Sequence, residues 1–213
     1  MLGGFGSPSQ PPGWYRFEES VELAQMCWEA IDPGTTSALP DGSDFLTNAI
    51  NHPTGQLATY WVDRIGHLWR DAAEGWNGIP PDLAGYLAEL SAHDDTRSEA
   101  VRTVFSAYLA FFHAADRQWC KQFLMPMLDW SDPRMARIAW TGYLSQGRGS
   151  DELLADGFLD LLIEALGHRH ELFPGAASNL TLLLAKIAVE AGVDPGTWIN
   201  TFVTAGSAPC VSG

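Results

Sequence analysis

The sequence predicts an all-α protein. Three observations lead there: apolar residues recur at helical spacing along most of the chain, Asp, Ser and Pro mark helix starts while Gly marks stops, and no alternating run of β-branched residues sits between turn signals. Glu18 to Ala30 carries Val21, Leu23, Ala24, Cys27 and Trp28 among acidic residues, an amphipathic helix stopped by Asp32-Pro33-Gly34. A loop through Asp41-Gly42-Ser43 leads to a short helix, capped by Ser43 or Asp44, that ends near Asn51. His52-Pro53 opens a longer helix with Leu57, Tyr60, Trp61, Ile65, Leu68 and Trp69, since proline suits a first turn whose N–H has no partner. The stretch from Gly75 to Pro81 breaks it, and Pro81-Asp82 starts another with Leu83, Tyr86, Leu87 and Leu90.

Ser98-Glu99 begins the strongest segment, with Val101, Val104, Phe105, Tyr108, Leu109 and Phe112 on one broad face. It is expected to run to Leu124 with a bend near Asp116. Asp132-Pro133 caps a helix to about Ser145, and Gln146-Gly147-Arg148-Gly149 is a turn. Asp151 opens a helix carrying Leu153, Leu154, Phe158, Leu161, Leu162 and Leu166. Ser178 to Ala191 is a very apolar helix with Gly192 as its left-handed cap. Asp194-Pro195-Gly196 starts a last one through Trp198, Ile199 and Phe202.

Residues 1–13, rich in Gly, Pro and Ser, are expected to be a flexible lead-in, 14–205 a single helical domain, and 206–213 a disordered tail. Short loops between helices suggest a short α-solenoid of antiparallel pairs, with a compact multi-helix bundle as the alternative. Residues 131–147 favour the solenoid. Asp132, Pro133, Arg137, Ala139 and Leu144 are placed as in one helix of a HEAT-type repeat, which this segment resembles.

The net charge of −14 weighs against nucleic-acid backbones and anionic membranes as partners. No apolar stretch approaches the ~20 residues a bilayer span needs, and the first residues lack a basic, then apolar, secretory pattern. Cys27, Cys120 and Cys210 are widely spaced and form no C-x-x-C pair, so a reducing cytoplasm is the expected setting.

Candidate chemistry is sparse. His168-Arg169-His170-Glu171 offers zinc-type ligands, but both imidazoles reach one ion only if the stretch is a loop; a basic helix end explains it equally. His113, Asp116 and Cys120 share a helical stripe, yet i to i+7 spans about 10 Å, too far for a thiol–imidazole pair. Cys120 as a small buried hydrophobe is the simpler expectation. His93-Asp94-Asp95 reads as an exposed loop before a helix N-terminus. Phosphate-loop and nucleophile-elbow motifs are absent, and no cofactor or metal is expected.

Charge distribution says more. Between residues 117 and 148 lie Arg117, Lys121, Arg134, Arg137 and Arg148, opposed only by Asp129 and Asp132, with Trp119, Trp130 and Trp140 interleaved. Arg beside Trp is a frequent composition of interface hot spots. Arg117, Lys121, Trp130, Arg134, Arg137 and Trp140 are therefore the candidate partner-binding residues; a solvated face over a Trp-rich core is the alternative.

Residues 51–69, NHPTGQLATYWVDRIGHLW, contain Asn51, His52, Pro53, Gly55 and Leu57 in the pattern Asn-His-Pro-x-Gly-x-Leu. This resembles an uncharacterised bacterial domain often found at the C-terminal end of sirtuin-like proteins in defence-type gene neighbourhoods. ARIAWTGYLSQGR at 136–148 is similar to a Trp-x-Gly-(Phe/Tyr)-Leu element of the same kind of domain. The resemblance implies a helical accessory or sensing domain, not the NAD-cleaving one, and packing roles for the motif residues. The expected function is a non-catalytic interaction or sensing module with a protein partner or second domain. A hydrolase or metal-dependent enzyme using His168 and His170, or Cys120, and a self-assembling structural protein are the alternatives.

Overall fold

The computed structural model describes residues 17–32 and 45–190. The lead-in, the loop around Asp41, Gly192, the helix from Asp194 and the tail lie outside the described residues. Among those described, every regular element is helical.

The order follows the capping signals closely. Helix α1 is Phe17–Ala30, α2 Phe45–Asn51 and α3 Pro53–Ala72. The His52 imidazole accepts the Thr54 N–H at 3.3 Å and Pro53 occupies the first turn of α3. Helix α4, Pro81–Ala92, and α5, Thr96–Ala107, meet at a corner where the Asp95 carboxylate accepts the Ser98 N–H at 3.0 Å. Helix α5 starts two residues before Ser98 because Asp95, not Ser98, is the cap.

The expected long segment is broken twice. Helix α6 is Leu109–Ala115, and Tyr108 separates it from α5 at φ −101°, ψ 19°. Helix α7, Arg117–Trp119, begins at the Asp116 cap and passes into a π-helical turn, Cys120–Leu124, and a 3-10 turn, Met125–Leu128. Helix α8 is Pro133–Gln146, capped by Asp132 and closed by Gly147 at φ 53°. Helix α9, Asp151–Leu153, continues through a second π-helical turn, Leu154–Phe158, into α10, Leu159–Gly167. Helix α11 is Pro174–Glu190; it starts four residues before Ser178 because Pro174 suits the first turn.

Helix α5 is the axis of the molecule. It packs against α2, α3, α4 and α8, and Ser98 to Ala107 is buried without interruption. One broad apolar face was expected of it; instead its whole circumference is covered, and Tyr108 just beyond it is exposed. Four helices thus enclose α5, and α2 also touches α8, contacts that a compact multi-helix bundle allows.

Such burial favours partners for the polar groups on α5, and all but the Ser106 hydroxyl among its buried side chains have one. Ser98 donates to the Leu90 carbonyl at 2.7 Å, Thr103 to Glu99 at 2.8 Å, and Arg102 to Ser91 and His93 at 2.7 and 2.6 Å. The guanidinium thereby satisfies carbonyls at the end of α4 that have no helical acceptor role left.

Two glycines permit close backbone approach. A Cβ on Gly55 would lie 1.8 Å from the Ala49 carbonyl oxygen, which sets the elbow between α2 and α3. A Cβ on Gly142 would lie 2.1 Å from the Thr103 carbonyl oxygen, which sets the α5–α8 contact. Both belong to the elements that carry the family resemblance.

Candidate functional site

The densest chemistry surrounds Asp156. His113 on α6, Arg117 on α7 and Lys121 on the following π turn stand at i, i+4 and i+8, with the extended residue Asp116 turning the chain between the first and the other two. All three reach the Asp156 carboxylate. His113 Nε2 lies 2.8 Å from Oδ2, Arg117 donates to both oxygens through Nε and a terminal nitrogen, and Lys121 Nζ lies 3.1 Å from Oδ1. The Asp156 and His113 side chains are each only 5% exposed, whereas Arg117 and Lys121 are 59% and 41% exposed. Gly157, at φ 94°, supplies the backbone conformation that turns this carboxylate inward from the π turn.

The bidentate Arg117 pair, then His113 and Lys121, hold the Asp156 carboxyl far below the usual carboxylate range. The same pair raises the Arg117 pKa. Because the folded-state pKa lies below the unfolded value of about 3.9, the stabilisation is complete well above that value and is lost as pH falls from it through the folded-state pKa. Asp156→Asn should therefore lower the urea midpoint at pH 7 and flatten its decline between about pH 5 and pH 2. An acid limb unchanged by the substitution would remove Asp156 as its source.

The constellation expected at His113, Asp116 and Cys120 disperses. His113 turns to Asp156. The Asp116 carboxylate accepts the Ile79 N–H at 3.0 Å and the Trp119 N–H at 2.9 Å, so it ties the loop before α4 to the start of α7. The Cys120 sulfur faces the Leu109 carbonyl at 3.8 Å, fully buried, and burial pushes its thiol up to about 12. A thiol so held is neither ionised nor reachable at neutral pH. In the folded protein Cys120 should resist iodoacetamide while the exposed Cys27 reacts, and mass mapping of labelled peptides before and after denaturation checks this.

The His168–Glu171 stretch is a turn after α10, the condition under which both imidazoles can face one point. His168 Nδ1 lies 2.8 Å and His170 Nε2 3.8 Å from the same Glu171 oxygen, and the His168 ring stacks on Trp130 at 4.5 Å and 9°. Among the described residues no group of three or more His, Cys, Asp or Glu is placed to hold a metal. At the α4–α5 corner, Asp95 caps α5 and pairs with Arg97 at 2.8 Å, and Asp94 lies 3.7 Å from Arg134.

The six partner-binding candidates do not form one surface. Trp140 is fully buried and donates to the Leu128 carbonyl at 2.9 Å; Trp130 is buried against His168. Trp140 is core because α8 turns that face toward α5 and the 125–128 turn, which composition alone does not specify, and Trp130, ahead of α8, is covered by the turn after α10. Arg137 lies over the Phe173 ring at 4.1 Å. Arg134 is exposed and pairs with Glu99. Only Arg117 and Lys121 come together, and the residue that gathers them, Asp156, was missed in the sequence. The His113, Arg117, Lys121 spacing was readable there; the inward turn at Gly157 was not. Asn51 donates to the Thr47 carbonyl at 2.9 Å, Thr54 donates to the Arg97 carbonyl at 3.0 Å, and Leu57 packs half-buried on the core. The motif around Pro53 is thus built into helix packing. No helix among the described residues is long and apolar enough to cross a membrane. Compared with protein-family models, with curated proteins and with solved structures, the chain has no match.

Proposed function

We propose that the chain is a non-catalytic helical interaction module that contacts an acidic protein partner through Arg117 and Lys121. The observation that carries this is the pair of exposed cations fixed by one buried carboxylate, in a chain whose net charge is −14. Arginine is favoured in interface hot spots, and side chains already held by Asp156 lose less freedom on binding. Arg134, braced by Glu99 and Asp94, offers a third cation at another corner. The sequence resemblance to helical domains accompanying sirtuin-like proteins supports an accessory role in a bacterial defence setting.

A tagged chain drawn from extract of its native cells should retain a stoichiometric protein. The double variant Arg117→Ser/Lys121→Ser should lose it while keeping a cooperative melting transition, lowered no further than that of Asp156→Asn, which breaks the same ion pairs. A solitary chain, or capture indifferent to the double variant, overturns the proposal. Self-assembly is the second reading, favoured by Leu182 and Val189 of α11, which are 68% and 82% exposed. A light-scattering mass above that of one chain would support it.

A further inference from the structure

An opening lies where α5, α6 and α8 meet, near the two backbone breaks at Tyr108 and Gly147. It is a cleft of about 380 Å³. Three rings wall it: Tyr108, Phe111 and Tyr143. Tyr143, 1% exposed, closes the back of the cleft, its hydroxyl donating to the Arg148 carbonyl at 3.2 Å and its pKa raised by burial, while Tyr108 and Phe111 are the more open rings. Phe111 is half-buried against Trp69, ring centres 6.0 Å apart, and Tyr108 stands at the mouth. The small side chains of Ala107 and Ala110 leave the floor open. Two polar residues complete the rim, Gln146 and Arg148.

Arg148 stands at this rim with its side chain exposed, and among the described residues its guanidinium makes no ion pair, a state it shares with Arg70 and Arg169 but not with Arg97, Arg117 and Arg134. An unpaired guanidinium beside three rings suits a ligand with a flat apolar body and one anionic end. The lining comes from two short segments, 107–111 and 143–148, a span suited to one ring and one charged group. The volume lies within the range of about 300–1,000 Å³ typical of small-molecule sites.

We propose that this cleft binds a small free aromatic carboxylate, its ring among Tyr108, Phe111 and Tyr143 and its carboxylate on Arg148, with the Gln146 amide as a second donor. The site is separate from the Asp156 cluster and does not depend on the interaction-module reading.

The test is an NMR titration of the full chain with naphthoate, using naphthyl methanol as the neutral isostere. Naphthoate should shift the amides of Tyr108, Phe111 and Arg148 saturably and bind about tenfold or more tightly than the alcohol, a preference of the size one well-made charged contact provides. Arg148→Gln, a change at an exposed side chain, should abolish the preference and keep alcohol binding. Ala110→Leu, which fills the floor, should block both. Equal affinity for acid and alcohol, a preference that survives Arg148→Gln, or saturable shifts only elsewhere would overturn the proposal. So would tighter binding by an acetylated Phe-Glu peptide than by naphthoate, which would give the cleft to a protein partner instead.

Discussion

Gly142→Ala is expected to lower stability by about 3 kcal/mol or more, enough to unfold a marginal domain. Alanine is the better helix former by about 1 kcal/mol, so propensity alone predicts the opposite sign. Sterics decide. The new Cβ would lie 2.1 Å from the Thr103 oxygen, 2.9 Å from its carbonyl carbon and 3.1 Å from its Cα. All three are backbone atoms, so no rotamer change relieves the clash. Helix α5 cannot retreat, because α2, α3 and α4 also pack on it. The remaining escape is to part α5 from α8, which opens the core around Phe105 and Trp140. Gly85→Ala in α4 is the control: nothing lies within 4 Å of its Cβ, so only propensity acts and stability should rise by up to about 1 kcal/mol. Urea unfolding of both variants beside the native chain checks the contrast. A Gly142→Ala midpoint equal to the native one would show that α5 and α8 do not touch as described.

The residues that were legible beforehand act within a few positions of themselves. Asp132 and Pro133 start α8, Pro53 starts α3 and Pro81 starts α4, because a capping oxygen or a missing N–H matters only to the turn beside it. The Asp-Pro signals need no knowledge of the fold. The break at Tyr108 is different: apolar spacing runs through it, and it is visible only in the backbone. The same holds for Asp156. Its helix reads as an ordinary amphipathic segment from Asp151 to Leu166, and the π turn with Gly157 at φ 94° has no periodic signature. Composition drew notice to the basic segment from Arg117 to Arg148, but net charge over a stretch does not say which side chains share a face. Arg117 and Lys121 share one because they are a helical turn apart; Arg134 and Arg137 turn to Glu99 and Phe173, partners more than thirty residues away in sequence.

Trp140→Ala is the second large effect expected, and it separates folding from binding. The indole is fully buried, lies 5.8 Å from both the Tyr143 and Phe158 rings, and donates to the Leu128 carbonyl. Removing it leaves a cavity where α8, the 125–128 turn and the π turn at Phe158 converge, at a cost of about 3–5 kcal/mol. The orphaned Leu128 carbonyl lies within that loss rather than beyond it, since water entering the cavity can bond to it. Trp140→Phe keeps most of the ring and gives up the hydrogen bond, so it should cost roughly 1–3 kcal/mol. Chemical denaturation with near-ultraviolet circular dichroism reads both. Any partner would be lost with Trp140→Ala, but together with the cooperative transition, whereas Arg117→Ser/Lys121→Ser removes cations that stand in solvent and leaves that transition in place. A Trp140→Ala protein that melts like the native chain and still loses its partner would move the indole from core to contact surface.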